Sequence, residues 1–212
     1  MKTNTIAIIG GTGKSGKYLV QQLLQKGYPI SVLLRNPENF KIENPLIEIV
    51  KGDARDYNSI NTLIKDCDVV ISALGQPIGE ASIFSDAAKN ITQSMISHGI
   101  KRYIVIAGLN VDTPFDKKSI RVQQATDWMY KNYPETTADR QAEYEILTKS
   151  GLDWTLVRLP LIIQTSERFN MQTSLEDCKG ENISATDLAE FLISQIEDRD
   201  YIKQSPFLYN IF

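Results

Sequence analysis

The residues with the clearest chemical potential lie near the start of the chain, where an apolar run enters a glycine-rich turn. Ile6-Ala7-Ile8-Ile9 has the composition of a buried strand, and Gly10-Gly11-Thr12-Gly13-Lys14-Ser15-Gly16 follows it directly. Beyond the turn, Leu19 and Leu23 fall on one stripe, as in an amphipathic helix. A strand, glycine turn and helix in this order direct backbone N–H groups and the positive end of a helix dipole at a phosphate.

Two kinds of phosphate-binding turn share this outline, and the glycine spacing separates them. A P-loop requires G-x-x-x-x-G-K-[ST], and Gly13-Lys14-Ser15 matches its end. The position that must then be glycine is Ile8, so the P-loop pattern fails. A dinucleotide fold needs glycines for the turn, for the approach of the pyrophosphate and for helix–strand packing. Gly10, Gly13 and Gly16 supply them in a G-x-x-G-x-x-G spacing rather than G-x-G-x-x-G.

The end of the second strand indicates which dinucleotide is preferred. In NAD-binding folds an acidic residue about twenty positions beyond the turn binds the ribose 2′-OH. Here the strand ends in Arg35-Asn36-Pro37, without an acid at its tip. A guanidinium can bind a 2′-phosphate with two hydrogen bonds, and Lys14 adds a second cation nearby. We therefore expect the protein to bind NADP(H) in preference to NAD(H). The alternative interpretation is that Arg35 is a surface arginine at the end of a strand.

Strand-like and helical patterns alternate along the 212 residues. We predict strands over 5–9, 29–34, 46–50, 68–72, 101–107 and 153–158. We predict helices over 14–26, 57–65, 83–98 and 136–149. Several strands are apolar throughout, as expected when helices cover both faces of a parallel sheet. The pattern predicts an α/β, doubly wound, mostly parallel Rossmann fold in a single domain over 1–212, with small substrate-side elements at about 160–182.

The remainder of the chain carries weaker signals. Ser184-Ala185-Thr186-Asp187 predicts a helix start with an acid at its third position, and Pro206 to Phe212 predicts a final edge strand. Three irregular stretches are expected to wall a pocket for a small-molecule acceptor: 76–79, 110–119 and 162–180.

Composition and charge exclude several other functions. The net charge is -3 and no basic block interleaves with aromatic residues, so we expect no nucleic-acid partner. Cys67 and Cys178 are too few for a disulfide scaffold and are interpreted as reduced, structural thiols. No signal peptide, membrane span or cluster with metal-ligand spacing is evident, which predicts a cytoplasmic protein without a metal site. The oligomeric state is left open between a monomer and a homodimer. His98, at a predicted helix end, is interpreted as a partner of the helix dipole.

Five segments spread over most of the chain carry motifs in a recognisable order: Gly10-Gly11-Thr12-Gly13-Lys14-Ser15-Gly16, Leu34-Arg35-Asn36-Pro37, Lys51-Gly52-Asp53-Ala54-Arg55-Asp56, Val70-Ile71-Ser72-Ala73-Leu74-Gly75 and Ser150-Gly151-Leu152-Asp153-Trp154-Thr155-Leu156-Val157-Arg158-Leu159-Pro160. In these motifs the chain resembles an atypical short-chain dehydrogenase/reductase of the NAD(P)-binding, NmrA-like type. That group includes reductases similar to biliverdin-IX-beta reductase and to flavin or quinone reductases.

The resemblance implies a role for each segment at the carboxyl ends of the strands. Gly52-Asp53-Ala54 should contact the adenine, with Asp53 near its exocyclic amine, although a turn or capping role is the alternative for this acid. Ala73-Leu74-Gly75 should lie beside the riboses, and Leu159-Pro160 should shape the nicotinamide pocket. The full set expected to bind cofactor is Gly10, Thr12, Gly13, Lys14, Ser15, Gly16, Arg35, Asn36, Gly52, Asp53, Ala54, Ala73, Leu74, Gly75, Gly108, Arg140, Leu159 and Pro160.

The sequence departs from ordinary short-chain dehydrogenases at the catalytic positions. Those enzymes use a Ser or Thr after the fifth strand and a Tyr-x-x-x-Lys on the next helix. Here Ile106-Ala107-Gly108-Leu109-Asn110 offers no hydroxyl, and Lys149 is off register with Tyr144. Arg140 stands where NmrA-like relatives often carry a lysine. Asn110 and Tyr144 are the candidate groups that face the substrate. The alternative for Asn110 is a loop residue whose side chain bonds within its own turn, and the alternative for Tyr144 is a tyrosine with a packing role.

This absence constrains the reaction. Reduction of an isolated carbonyl gains about 10²–10⁴-fold from a positioned acid, whereas a flavin or quinone spreads the incoming charge over a conjugated ring. We therefore expect an NADPH-dependent reductase of a small conjugated acceptor. A non-catalytic, NADP-binding redox sensor or regulatory protein of NmrA type is the alternative.

Overall fold

The computed structural model describes residues 4–211, and residues 1–3 and 212 lie outside this description. The strands are β1 (Ile6–Ile9), β2 (Ile30–Leu34), β3 (Ile47–Lys51), β4 (Val69–Ser72), β5 (Arg102–Gly108), β6 (Asp153–Leu159), β7 (Leu161–Ile163), β8 (Asn170–Ser174), β9 (Asn182–Ser184) and β10 (Phe207–Ile211). The α-helices are α1 (Gly16–Gln25), α2 (Tyr57–Ile64), α3 (Phe84–Ser97), α4 (Ile120–Asn132), α5 (Pro134–Lys149) and α6 (Ala185–Ser194).

Eight of the strands form one sheet in the order β3-β2-β1-β4-β5-β6-β10-β8. Pairing is parallel from β3 to β10, and only β8 runs antiparallel, against β10. The chain moves outward from β1 in one direction through β2 and β3, then returns to build β4, β5 and β6 on the other side. The doubly wound α/β fold is therefore confirmed, and β1 and β4 flank the point where the strand order reverses, where such sheets place ligands.

The alternation of side chains along the strands builds two cores, one on each face of the sheet. Ile6 and Ile8 of β1 belong to the core that α1 and α6 cover, whereas Ala7 and Ile9 belong to the core under α2, α3 and α5. Because both faces are covered, β1 and β4 are buried along their whole length. This double burial explains why their sequences are apolar throughout rather than alternating.

The structure differs from the predictions in four places. The helix predicted over 14–26 begins only at Gly16, because Lys14 and Ser15 still belong to the turn. Helix α4 was not predicted, since it buries only Val122 and Thr126 and therefore carries no apolar stripe. The strand predicted over 206–212 at the edge of the sheet is interior: β10 lies between β6 and β8, and Phe212 is outside the described residues. Strands β7 and β8 also occupy part of the stretch that was expected to be irregular.

The helix start at Ser184 is confirmed. The Ser184 Oγ accepts a hydrogen bond from the Thr186 amide at 3.2 Å. The Asp187 carboxylate instead accepts from the amide of Phe169 at 3.0 Å and from Nδ2 of Asn210 at 2.8 Å. Asp187 thus joins α6 to β10 and to the segment before β8, rather than closing a capping box.

Candidate functional site

A groove of about 730 Å³ crosses the carboxyl ends of β1, β2, β4, β5 and β6. With the exception of Gly16, every residue expected to bind cofactor lines it: Gly10, Thr12, Gly13, Lys14, Ser15, Arg35, Asn36, Gly52, Asp53, Ala54, Ala73, Leu74, Gly75, Gly108, Arg140, Leu159 and Pro160. The apolar residues Ile106 and Ala107 also line one end of the groove. Of the three stretches expected to wall a pocket, Gln76, Pro77 and Ile162 line it, and no residue of 110–119 does.

The glycine turn between β1 and α1 makes close backbone contacts that only glycine permits. Gly10 has φ +81°, and a Cβ there would lie 2.6 Å from the carbonyl carbon and oxygen of Ala73. A Cβ on Gly16 would collide with the carbonyl oxygen of Gly10. Gly16 therefore packs behind the turn, which explains why it does not line the groove. The turn is closed by a 3.0 Å hydrogen bond from the Gly13 amide to the Gly10 carbonyl.

The amino terminus of α1 opens on the same groove. The Ser15 side chain forms no cap hydrogen bond, and the first turn carries no acidic side chain among residues 16–18 of the described chain. The amides of Lys17 and Tyr18 already donate to the carbonyls of Gly13 and Ser15, but the positive end of the helix dipole remains available to an anion, and Lys14 lines the groove beside it. The cradle that a Cβ would fill and this donor set together fit a pyrophosphate.

Arg35, at the tip of β2, is held by an ion-pair network. Its Nη1 lies 2.7 Å from Oε1 of Glu80, and Nη1 of Arg55 lies 3.0 Å from Oε2 of the same carboxylate. Hydrogen bonding from Arg35 holds the pKa of Glu80 below its usual range, and the same bond raises the pKa of Arg35. Arg35 remains half exposed, so its guanidinium is accessible from the groove.

Asp53 follows β3 and makes the turn interaction that was the alternative role for it, whereas its contact with the adenine stays a prediction. Its Oδ1 accepts a 2.8 Å hydrogen bond from the Arg55 amide, which is the local turn interaction, and the residue also lines the groove. Gly52, directly before it, is required by packing because a Cβ there would collide with the Ser59 side chain. Asp56 rather than Asp53 caps α2, through the amides of Asn58 and Ser59.

Arg140, on α5, occupies a buried position at the other end of the groove. Its Nη1 donates to the carbonyl of Ile106 at 3.0 Å and lies 2.6 Å from Glu143, and its Nη2 donates to the carbonyl of Leu74 at 2.7 Å. The guanidinium also stacks on the Phe84 ring, 3.2 Å from its centre. Burial raises the pKa of Glu143, and the charge of Arg140 partly opposes this. Arg140 thus ties the ends of β4 and β5 to α5.

A second buried arginine organises the segments beyond β6. Arg158 is fully buried, stacks on Phe207, and lies 2.6 Å from Oδ1 of Asp116. It also donates to the carbonyls of Val111, at 3.1 Å, and Leu175, at 3.2 Å. Burial lowers the pKa of this guanidinium, and Asp116 opposes the shift. Arg158 therefore clamps the loop after β5 and the end of β8 to the sheet.

The two candidate catalytic side chains are not among the residues that line the groove. Tyr144 packs edge-on against Trp154, with ring centres 6.0 Å apart, and burial raises its pKa. Asn110 is buried, and its side-chain oxygen lies against Gly108, which does line the groove. The structure therefore places Asn110 directly behind the groove wall and Tyr144 in a packing position.

Four charged residues that hold the groove residues in place were not predicted from the sequence: Arg55, Glu80, Glu143 and Arg158. Arg158 was detectable, because a charged residue inside the apolar run Thr155-Leu156-Val157-Arg158-Leu159 must find a buried partner. The others carry no local signal. In residues 4–211, no group of three or more His, Cys, Asp or Glu side chains could hold a metal ion, and no helix is long and apolar enough to cross a bilayer.

The fold and the groove define a dinucleotide-binding protein of the Rossmann class. A family described as NAD(P)H-binding matches residues 10–199. The chain belongs to this family, of the atypical short-chain dehydrogenase/reductase, NmrA-like type, and it binds NAD(P)H. The resemblance inferred from the five motifs is thereby confirmed.

Individual relatives share parts of this chain. Phenylcoumaran benzylic ether reductase 1 of Arabidopsis thaliana is 33% identical over 133 residues, which cover 57% of this chain and 41% of that protein. The mitochondrial NADH dehydrogenase [ubiquinone] 1 alpha subcomplex subunit 9 of the same plant is 31% identical over 148 residues, 64% of this chain and 37% of its own length. The matched region thus spans well under half of these relatives.

Solved structures show the same fold over the whole chain. A short-chain dehydrogenase/reductase from Veillonella parvula DSM 2008, crystallised in complex with NADP, has a TM-score of 0.81 with 15% identity. The match covers 99% of this chain and 95% of that one.

Proposed function

We propose that this protein is an NADPH-dependent oxidoreductase that reduces a small conjugated acceptor of the quinone or flavin type. The observation that carries the proposal is the contrast between the two ends of one groove. One end presents Arg35 and Lys14 for phosphates, whereas the other is lined by apolar groups with Arg140 as its charged side chain. The only hydroxyl side chains lining the groove in the described chain are Thr12 and Ser15, at the glycine turn.

The preference for NADP(H) is supported by the position of Arg35. It stands at the tip of β2, beside Asn36, where folds of this class place the group that distinguishes a 2′-phosphate from a 2′-OH. A half-exposed guanidinium at this position attracts a phosphate dianion and has no comparable interaction with a hydroxyl.

Bound NADPH would supply a hydride to the acceptor. Arg140 would orient the ribose next to the reacting ring, since its guanidinium is fixed by two main-chain carbonyls and by Glu143. Leu159, Pro160 and Ile162 would exclude water from one side. No side chain at this end can readily release a proton, because an arginine stays protonated in proteins. Solvent would therefore supply the proton, which suits an acceptor that delocalises the added charge.

Neither Asn110 nor Tyr144 is assigned a proton-donating role in this proposal, because neither lines the groove. Their part in substrate binding stays a prediction, as do the cytoplasmic location and the monomeric or dimeric state. Phenylcoumaran benzylic ether reductase 1, which is named as a reductase, supports a reductive function, although the match covers only 41% of its length.

The test is oxidation of NADPH by the purified protein with a panel of quinones and flavins, followed by the loss of reduced-nicotinamide absorbance. We expect acceptor-dependent turnover with NADPH, and Arg35→Ala should weaken NADPH binding at least about tenfold more than NADH binding, since charge-assisted contacts of this kind contribute 1.5–3 kcal/mol. Equal losses for both nucleotides would show that Arg35 does not bind the 2′-phosphate.

The second candidate is a regulatory protein that binds NADP(H) without turnover. The absence of a hydroxyl or carboxyl donor among the residues that line the apolar end of the groove favours it. Tight NADPH binding without oxidation by any acceptor in the panel would support this function and exclude the reductase.

A further inference from the structure

We propose that Glu80 competes with the 2′-phosphate of NADP(H) for a pair of guanidinium groups, Arg35 and Arg55, and so sets the ratio of NADPH to NADH affinity. The proposal rests on the NADP(H) preference proposed above. It adds a second phosphate-binding arginine and a built-in competitor, neither of which follows from the glycine turn or from the strand tip alone.

The Glu80 carboxylate bridges two arginines. Each of its oxygens meets a different arginine, Oε1 with Arg35 at 2.7 Å and Oε2 with Arg55 at 3.0 Å. Two guanidinium groups that converge on one anion form the arrangement that binds phosphate in proteins, because their planar donor forks match its oxygens. In this protein a carboxylate of the chain itself holds the shared position.

The two arginines differ in how they reach the groove. Arg35 lines the groove at the tip of β2, whereas Arg55 lies behind this lining, with its Nη1 3.8 Å from Oδ2 of the groove-lining Asp53. The Nη2 of Arg55 donates to the carbonyl of Ala81 at 2.7 Å, which fixes the arginine beside the loop after β4. Arg35 is therefore at the end of the groove where an adenosine 2′-phosphate would lie, and Arg55 is beside it, on the other side of the Glu80 carboxylate.

The loop that carries Glu80 is held in place independently of the ion pairs. The Gln76 side chain donates to the carbonyl of Pro77 at 3.1 Å and to that of Glu80 at 2.9 Å, and Gly79 provides the turn with φ +73°. Release of the carboxylate thus requires rotation of one side chain rather than rearrangement of the loop. The Glu80 side chain is 40% exposed, so water can solvate it once it is displaced.

The competition is selective because the two nucleotides differ only at this position. A phosphate dianion gains more from two guanidinium groups than a carboxylate does, but it must first displace Glu80. NADH has no group that needs the arginines, so Glu80 can stay paired while NADH binds. Glu80 therefore weakens NADPH binding and leaves NADH binding almost unchanged.

A different role for Glu80 makes the opposite prediction. An acidic residue near the adenosine ribose can accept a hydrogen bond from a 2′-OH and so favour NAD(H). Under that role, loss of the carboxylate would weaken NADH. The two possibilities are therefore separated by which nucleotide responds to the same substitution.

The experiment is a titration of the intact protein with NADPH and with NADH, for wild type and four variants. Glu80→Gln removes the competing charge, and Arg55→Ala and Arg35→Ala each remove one guanidinium. Glu197→Gln is the matched control for net charge, because Glu197 is exposed in the turn after α6 and is not among the groove-lining residues.

We expect Glu80→Gln to tighten NADPH by about three- to tenfold and to change NADH by less than about twofold, a size consistent with displacement of exposed ion pairs. Arg55→Ala should weaken NADPH by at least about threefold with little effect on NADH, as expected for one lost charge-assisted contact. Glu197→Gln should leave both affinities unchanged.

Each result decides between the proposals. Suppose that Arg35→Ala lowers the ratio of NADPH affinity to NADH affinity and that Glu80→Gln does not raise it. Glu80 then does not compete with the phosphate, so this inference fails while the NADP(H) preference stands. If Glu80→Gln binds NADH more weakly than wild type, the Glu80 carboxylate binds a ribose hydroxyl, and the competition proposed here is also refuted. If Arg35→Ala has no effect on the ratio, the NADP(H) preference fails first. An unchanged ratio in Arg55→Ala removes the second arginine from the proposal.

Discussion

The ion pair between Arg140 and Glu143 should contribute strongly to the stability of the protein, because both side chains are buried. Glu143 is 1% exposed and Arg140 is 8% exposed. Arg140→Ala removes the counter-charge of a buried carboxylate and also two donors to main-chain carbonyls. Breaking a buried pair from one side costs about 3–5 kcal/mol, a large part of the 5–15 kcal/mol that stabilises a typical domain. We therefore expect Arg140→Ala to lower the free energy of unfolding by about that amount at pH 7.

A double-variant design separates the charge from the lost packing. Glu143→Gln keeps an acceptor for Arg140 and should cost only about 1–2 kcal/mol. When it is combined with Arg140→Ala, it removes the uncompensated charge and should recover about 2 kcal/mol or more relative to Arg140→Ala alone. Lys149→Ala is the control on the same helix: this lysine is 78% exposed and its amine lies 3.9 Å from Glu145. Loss of such a pair should change stability by less than about 0.5 kcal/mol.

The destabilisation should depend on pH with a defined sign. Burial raises the pKa of Glu143 in the folded protein, and loss of Arg140 removes the charge that opposes this rise. The folded variant therefore holds this proton more tightly than the unfolded chain, whose glutamates have a pKa of about 4.3. Stability must fall as pH rises above that value, until the folded carboxyl ionises.

The assay is urea unfolding at pH 5 and pH 8, followed by fluorescence and far-UV circular dichroism, with each variant compared to wild type. The cost of Arg140→Ala should be larger at pH 8 than at pH 5, and the double variant, which lacks the Glu143 carboxyl, should not show this increase. A cost below about 1 kcal/mol at pH 7 would refute the reasoning, since buried pairs cost several times that when one partner is removed. A double variant no more stable than Arg140→Ala would do so as well.

Three further predictions concern the turn, a helix cap and the thiols. Gly10→Ala should destabilise the protein by about 2 kcal/mol or more and abolish cofactor binding. Gly27→Ala is the control, because Gly27 has φ +80° but no atom within 4 Å of the added Cβ, and it should cost only about 1 kcal/mol. Equal costs for the two variants would show that the close contact at Gly10 is unimportant. Burial alone would raise the pKa of Asp139, but hydrogen bonds from the Ser82 side chain and from the start of α3 hold it below its usual range. Asp139→Asn should therefore cost about 1 kcal/mol at pH 7 and less as pH falls below about 4, measured by urea unfolding. Burial raises the pKa of Cys67 and of Cys178 to about 11, so at pH 8 both should resist a thiol reagent until urea unfolds the chain, and rapid labelling of the native protein would contradict this.

Much of the groove could be predicted from the sequence because its parts follow strands directly. A parallel strand that is buried on both faces has an apolar run as its signature, and the residues after it must lie at the carboxyl edge of the sheet. This reasoning located the glycine turn, Arg35, Gly52 to Ala54 and Leu159-Pro160 at one edge, and the structure places them there. It failed for α4, which has no apolar stripe, and for β10, whose neighbours in the sheet are set by tertiary packing.

The sequence by itself determined the order of β1 to β5 with α1, α2 and α3, the position of the glycine turn and the family, because these depend on short-range periodicity and on motifs read along the chain. Only the tertiary structure decided that Glu80 meets Arg35, 45 residues away, and that Arg140 meets the carbonyl of Leu74, 66 residues away. It also showed that Tyr144 packs on Trp154 rather than lining the groove. Contacts between side chains from different strand ends depend on the path of the chain through space, and no local pattern of residue types encodes them.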